Sequence, residues 1–329
     1  MSSENLLKKV EQIWEKYSVL TEDPKARAWF DDSYKGKRQT NYRAVDFLME
    51  EIVHTGICSS CTACVVICPW DVFTYSENHP ETTRTDRCTD CGLCVQVFPE
   101  MPLPADPREN VFGSSKAKTD DFGFYLDIFL SRSKIPEVRA RAQDGGTATA
   151  LLLYGMEKGL IKGVVVGDVS KENPGMPTHK LATTKDALLS SSGSRYVCSP
   201  NMLAIEEAFS KDISPTAAVG VPCQVDGLRY IQHGGVYRPI SERYRNNVAL
   251  TIGLFCSEAI VYEGIADLAK QLGIEIDDNV LQHKGQSHHK NKGQRVRVSS
   301  KKDFRKYVRP DCEFCKDYSA ELADVGLGG

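Results

Sequence analysis

Two cysteine runs constrain this chain more than any other stretch. The first is Cys58, Cys61, Cys64 and Cys68, followed by Pro69. The second is Cys88, Cys91 and Cys94, with Pro99 in place and Phe98 where a fourth cysteine would stand. C-x2-C-x2-C-x3-C-P is the spacing that wraps thiolates around an iron–sulfur cluster. Two residues between cysteines let a tight loop offer each sulfur to a different iron, and the proline stops the chain from continuing as a helix. A chain built this way is expected to handle single electrons.

In two-cluster ferredoxins the fourth cysteine of each run binds the other cluster. By that rule Cys68, Cys88, Cys91 and Cys94 make one complete 4Fe-4S site. Cys58, Cys61 and Cys64 make a second, which lacks the thiolate expected from position 98. Three outcomes are open there: a 3Fe-4S cluster, a 4Fe-4S cluster with an outside ligand, or no cluster. CxxC pairs also bind zinc, but two such frames in tandem favour iron and sulfide. Disulfides are disfavoured, because no signal peptide precedes the cysteines and dense CxxC then reads as metal binding.

At 329 residues the chain has room for about two to three domains. A net charge of −3 gives no global basic field of the kind that nucleic acid calls for. No apolar run reaches the roughly 18 residues needed to span a bilayer. The opening Met1-Ser2-Ser3-Glu4 lacks the basic and apolar regions of a signal peptide, so a cytoplasmic location is expected. Oxygen-sensitive clusters fit an anaerobic setting.

Leu6, Leu7, Val10, Ile13 and Trp14 recur at helical spacing among Lys and Glu and predict an amphipathic helix over 4–20. A second short helix is expected over 44–53, so residues 1–53 read as a helical extension. Residues 54–102 read as a ferredoxin-like α+β module, with a short strand over 71–75. Pro102, Pro104 and Pro107 open a linker over 103–124. From 125 to 329 strands and helices alternate. The turn Asp144-Gly145-Gly146-Thr147 opens a helix over 148–158, and a buried strand follows over 160–169. A helix over 200–211 precedes a strand over 217–221 that ends at Pro222-Cys223. A helix over 224–233 precedes a strand over 248–255 that ends at Cys256, and a helix covers 258–272. This repeat predicts an α/β sheet with crossover helices. Ligands sit at the carboxyl ends of such strands, where Cys223 and Cys256 are expected.

Cys312-Glu313-Phe314-Cys315 adds a CxxC pair to Cys223 and Cys256. Together they offer four soft ligands, enough to hold a cube between adjacent strand ends. On spacing alone, Cys223 and Cys256 read equally well as small buried apolar residues.

Several motifs occur in order: Gly145-Gly146-Thr147, Gly193-Ser194-Arg195-Tyr196 with Ser199-Pro200-Asn201, Val221-Pro222-Cys223-Gln224, Phe255-Cys256, and Cys312 to Tyr318 running on through Glu321-Leu322-Ala323-Asp324. This set resembles the coenzyme F420 hydrogenase/dehydrogenase beta-subunit family over about residues 125 to 329. With a ferredoxin-like module in front, the layout is similar to that of F420H2 dehydrogenase input subunits and of the amino-terminal half of F420-dependent sulfite reductases. The resemblance implies FAD, a 4Fe-4S cluster on Cys223, Cys256, Cys312 and Cys315, and a deazaflavin substrate, coenzyme F420. It also implies that Gly145, Gly146, Thr147, Gly193, Ser194, Arg195, Tyr196, Ser199, Asn201 and Gln224 cradle FAD. Two glycines let backbone approach a ring or a pyrophosphate, and a helix opening at Thr147 turns N–H groups toward an anion. No GxGxxG follows a strand, so a Rossmann nucleotide site is not supported.

The implied activity is a hydride exchanged between coenzyme F420 and FAD, with single electrons passed through clusters to or from a partner redox protein. Oxidation of reduced F420 is the favoured direction. In such chemistry the protein supplies position and potential, so no catalytic acid or base is assigned. Two alternatives stand beside it. One is a non-catalytic electron-transfer subunit of a larger, even membrane-docked, complex. The other is a related flavin reductase with a different substrate, such as a chlorophyll-type ring.

His283, His288 and His289 with Lys284, Lys290, Lys292, Arg295 and Arg297 read as a solvated loop entering a strand, or as a basic lip for the anionic F420 tail. Arg195 and Lys316 are stronger anion contacts because they lie inside the motifs. Two departures from the family stand out. Phe98 removes a ligand, and Cys198 is left over, either as the missing ligand or as a buried thiol near the flavin. The family also continues past Ala323-Asp324, so the chain reads as truncated at its C-terminus.

Overall fold

The computed structural model describes residues 43–76, 78–99, 107–113, 118–120, 123–172, 176–272, 288–291, 294–297 and 307–328. The helix expected over 4–20 lies outside them.

The helix expected over 44–53 is two-part. Regular α1 (Ala44–Phe47) passes straight into a π-helical segment, Leu48–Val53. A π-turn takes more residues per turn than an α-turn, so Leu48, Ile52 and Val53 share a face, and all three line one cavity with Cys58, Cys61 and Cys64. Each cysteine loop then opens a short helix, α2 (Ala63–Ile67) and α3 (Leu93–Gln96). The two loops repeat one backbone path. Ser60 and Thr62 in the first have φ of 55° and 64°, and Asp90 and Gly92 in the second have 62° and 75°. Between them lies the antiparallel hairpin β1 (Phe73–Ser76) and β2 (His79–Thr82). Asp90 Oδ1 accepts from the Ala44 N–H at 2.6 Å and ties α1 to the second loop.

Where a linker was expected, the described residues form α4 (Pro107–Phe112) and a hairpin of β3 (Lys118–Asp120) and β4 (Gly123–Tyr125). Next come α5 (Pro136–Arg141), α6 (Thr147–Glu157), β5 (Gly163–Val169), β6 (Pro177–Ala182), α7 (Lys185–Ser190) and α8 (Leu203–Ser210). They are followed by β7 (Thr216–Gly220), α9 (Pro222–His233), α10 (Arg238–Asn247), β8 (Val248–Leu254) and α11 (Tyr262–Leu272). The hairpin of β9 (His288–Asn291) and β10 (Gln294–Arg297) precedes β11 (Val325–Leu327).

The main sheet has the order β11-β8-β7-β5-β6, parallel except for β6, which runs antiparallel along β5. Successive strand residues face opposite sides. Val164, Val166 and Ala217 join the core under α5, α6 and α7. Val165 and Ala218 join the core formed with α8, α9 and α10. Both faces are covered, which is why these strands read as continuous apolar runs.

That second core also takes in the cysteine-rich segment. Cys61, Ala63, Ile67, Leu93 and Val97 pack with Ile205, Leu228 and Tyr244. The Tyr244 hydroxyl, deep in this seam, bonds Glu206 Oε1 at 2.6 Å and the Val66 carbonyl at 3.1 Å. The result is a mixed α/β architecture carrying a ferredoxin-type segment.

Several expected boundaries move: the helix expected over 200–211 runs Leu203–Ser210, the strand expected over 248–255 ends at Leu254, and the helix expected over 258–272 starts at Tyr262. The strand expected from 160 begins at Gly163, and Leu160 is exposed. The strand expected to end at Pro222-Cys223 stops at Gly220, so Cys223 lies in the first turn of α9. The cause is Pro222: its fixed φ and missing N–H suit a first helical position, and Gln224 Oε1 closes the turn by accepting from the Val221 N–H at 3.1 Å. Among the described residues no helix is long and apolar enough to cross a membrane.

Candidate functional site

The thiols fall into neighbouring groups. Cys94 faces Cys68, Cys88 and Cys91, the four expected around the complete cluster. Cys64 faces Cys58 and Cys61 on one side and Cys94 on the other. Cys256 lies beside Cys315 and Cys312. Cys223 neighbours Cys61 and hydrogen-bonds with Cys198, which in turn neighbours Cys256. Each of the eleven expected ligands and Cys198 thus lies within electrostatic reach of another thiol, in a succession through the molecule. The succession runs from exposed Cys91 to exposed Cys315.

The join between the two halves is close. Gly227, one helical turn beyond Cys223 on α9, has no side chain where Cys61 arrives. A β-carbon there would lie 3.3 Å from Cys61 Sγ and 3.0 Å from Ala63 Cβ. Against the same loop, Cys198 Sγ lies 3.5 Å from the Ser59 carbonyl, and Gln224 Nε2 lies 3.8 Å from Cys198 Sγ. Arg309 completes the join. Its guanidinium is buried, bonds Asp311 Oδ1 at 3.0 Å, and donates to the Cys58 carbonyl and to Ser60 Oγ. Cys312 follows in the same short turn (Pro310–Glu313), with its sulfur 3.2 Å from the Ala259 N–H.

These surroundings suit metal-bound sulfur. Burial pushes Cys58 up to about 11 and Cys61, Cys256 and Cys312 up to about 12, and it raises Cys64 and Cys94 as well. Such thiols keep their protons at neutral pH until a bound cation displaces them. Among the described residues no group of three or more His, Cys, Asp or Glu side chains closes on one point, as a single metal ion would require. Cys58, Cys61, Cys64 and Cys94 line one cavity.

The expected flavin residues form two stretches brought side by side. Gly146 has a φ of 75°, and a β-carbon there would meet Val138 Cγ1 at 2.8 Å. Only glycine makes this turn, and α6 starts at the next residue. Ser131 Oγ lies 2.9 Å from Thr147 Oγ1, and Ser133 donates to the Gly145 carbonyl at 2.8 Å. Thr149 on α6 reaches Ser192 at 3.3 Å, which brings the turn beside the Gly193–Asn201 stretch. Burial, and then the negative charge of Asp144, raise the Tyr196 hydroxyl.

Arg195 is largely buried. It donates from Nη1 to the Ser191 and Gly193 carbonyls at 2.9 and 3.2 Å, and Nη2 lies 3.5 Å from Asp168. Its Nε is buried without a partner, an orphaned donor that an anionic group would satisfy. Ser199, Asn201 and Gln224 are buried and engaged with protein. Asn201 Nδ2 donates to the Val219 carbonyl at 2.9 Å, and Gln224 Nε2 donates to the Ser199 carbonyl. Beside the Gly145 turn, Leu126, Ile128, Phe129 and Leu130 stand exposed in an extended strip. Lys316 follows exposed Cys315. Of the basic stretch, His283, Lys284 and Lys292 lie outside the described residues.

Arg309, Asp311 and Gly227 were not picked out by the sequence. The signals existed: Arg309-Pro310-Asp311 runs directly into Cys312, and glycine inside a helical pattern often marks close approach.

Residues 128–206 match the family described as coenzyme F420 hydrogenase/dehydrogenase, beta subunit N-term, and residues 214–329 match its C-terminus counterpart. Residues 51–99 match the 4Fe-4S dicluster domain. The coenzyme F420 hydrogenase subunit beta of Methanococcus voltae is 32% identical over 211 residues, 63% of this chain and 73% of that protein. The coenzyme F420-dependent sulfite reductase of Methanocaldococcus jannaschii is 29% identical over 303 residues, 86% of this chain but only 44% of that protein. A chain of the F420-reducing [NiFe] hydrogenase complex from Methanosarcina barkeri aligns with a TM-score of 0.54 at 30% identity, covering 62% of this chain and 72% of that one. The chain belongs to the coenzyme F420 hydrogenase/dehydrogenase beta-subunit family, F420-dependent oxidoreductases joined here to an iron–sulfur electron-transfer segment.

Proposed function

We propose that this protein exchanges electrons between coenzyme F420 and a one-electron redox partner, with oxidation of reduced F420 as the favoured direction. The observation that carries the reading is the succession of neighbouring thiols from Cys315 to Cys91, with Cys61 packed against Gly227 at the join. FAD, when bound, supplies the conversion between a two-electron hydride and single electrons.

In this reading the Gly145–Thr147 turn and the Gly193–Asn201 stretch hold FAD. The α6 N-terminus and the orphaned Arg195 Nε meet its anionic groups, and the strip from Leu126 to Leu130 lends apolar cover. Cys223, Cys256, Cys312 and Cys315 bind the nearest cluster. Cys61, packed against Gly227, makes the Cys58, Cys61 and Cys64 site the next station. Cys68, Cys88, Cys91 and Cys94 bind the outermost cluster. Exposed Cys91, with half-exposed Trp70 close to Asp71, Arg87 and Thr89 at one surface depression, supports electron exit there.

The test is anaerobic mixing of flavin-loaded, cluster-loaded protein with reduced F420 in a stopped-flow cell. The expected result is loss of flavin absorbance as oxidised F420 appears, followed by cluster bleaching. Bound flavin that does not respond would overturn the F420 reading. A preparation that binds clusters but no flavin would make the chain a pure electron-transfer subunit.

A further inference from the structure

We infer that Cys58, Cys61 and Cys64 hold a three-iron cluster, with the vacant corner of the cube set against Phe98. The inference deepens the proposed electron path and rests on it only for the site's place along it.

Both cysteine loops follow the same backbone path, with left-handed residues at Ser60 and Thr62 in one and at Asp90 and Gly92 in the other. The first loop is therefore shaped to present three sulfurs just as the second is. The difference lies at the fourth corner. Position 98 stands in the second run where Cys68 stands in the first, and Phe98 lines the same cavity as Cys58, Cys61 and Cys64. The ring is buried, at 8% exposure. Around it the wall is hydrocarbon: Leu48, Ile52 and Val53 from the π-helical segment, with Pro80 from the hairpin.

A fourth iron at that corner would need a thiolate, an oxygen or a water. A water or hydroxide there would face the Phe98 ring and its hydrocarbon neighbours, which is costly. Of the other polar side chains lining the cavity, Thr62 Oγ1 donates to the Cys61 carbonyl at 2.7 Å and Cys94 belongs with Cys68, Cys88 and Cys91, while Ser59 Oγ is buried without a partner beside the Cys61 sulfur, on the ligand loop and not at position 98. Cys198, the spare thiol, does not line the cavity. It contacts the Ser59 and Ser60 carbonyls and pairs with Cys223. Three thiolates and a sealed apolar corner suit a cluster that needs only three protein ligands.

The experiment uses the full chain, purified and reconstituted under argon and oxidised with a one-electron dye. Electron paramagnetic resonance and native mass spectrometry are read together. The expected wild-type spectrum contains the near-isotropic resonance of an oxidised three-iron cluster. Cys198→Ala should leave it unchanged. Phe98→Cys should abolish it and add one iron per chain to the native mass. Wild-type protein with every site filled but lacking the resonance would overturn the inference, as would a native mass showing the Cys58 site empty. Loss of the resonance in Cys198→Ala would do the same by making Cys198 a ligand. Should Phe98→Cys fail to fold, the wild-type and Cys198→Ala arms still decide. A preparation with the resonance but no flavin would sink the hydride reading and leave this inference standing.

Discussion

Cys61 is lodged against Gly227, one turn along α9 from Cys223, so close that a β-carbon at 227 would sit 3.3 Å from the sulfur. The ferredoxin-type loop and the helix carrying the next ligand are thus in direct contact. Gly227→Val should force them apart. Overpacking of this kind costs about 1–3 kcal/mol, offset only slightly by the gain in helix propensity from glycine to valine, a few tenths of a kcal/mol. Thermal unfolding should show a net loss. Stopped-flow reduction should show slower bleaching of the amino-terminal clusters, with flavin reduction unchanged. An unaltered cluster-reduction rate in a folded variant would refute the contact as the route.

Arg309 and Asp311 form a buried ion pair whose cation also serves the Cys58 loop. Removing one partner strands the other charge, so Arg309→Met should destabilise by about 3–5 kcal/mol. The double variant Arg309→Met with Asp311→Leu should cost well under the sum of the two single changes. A denaturant double-mutant cycle measures this, and additive losses would count against the pair.

Tyr244 stands at the seam between the cysteine-rich segment and the sheet. Tyr244→Phe keeps the ring and removes the bonds to Glu206 and Val66. The expected loss is about 1–2 kcal/mol, read by urea unfolding, with cluster content retained. An unchanged midpoint would mean that the hydroxyl contributes nothing at this seam.

His233 closes α9 and is held down to about 4 by burial, with Arg229 and Arg245 adding to the effect. An unfolded histidine titrates near 6.5. Between about 6.5 and 4 the unfolded chain therefore binds the proton first, and stability falls as pH drops through that window. Above it the contribution is constant. His233→Asn should flatten this part of the profile, measured as urea midpoints at matched pH. A variant whose slope equals that of wild type would show that another group controls it.

The cysteine positions were legible because ligand spacing is local: a thiol two residues from the next must share its loop. The alternating strands were legible from Val164–Val166 and from 248–254 because both faces of the sheet are covered. Strand β6 was not, since Pro177–Ala182 is polar and half-buried along an edge, where no apolar pattern is required. Cys223 was misplaced by three residues of context, because Pro222 begins a helix instead of ending a strand. Phe98 announced a missing ligand, but nothing in sequence order tells that Leu48, Ile52 and Pro80 seal the corner it leaves. Arg309 escaped notice for the same reason: its partners on the Cys58 loop lie 251 and 249 positions away.

That distance has a consequence for how the protein is made. Arg309 meets the Cys58 carbonyl across 251 positions of sequence. During synthesis the Cys58 loop emerges well before Arg309, and its carbonyl lacks this donor until that residue arrives. The guanidinium then closes the loop from behind. The loop that offers the first three sulfurs is therefore laid down long before the contact that backs it can form.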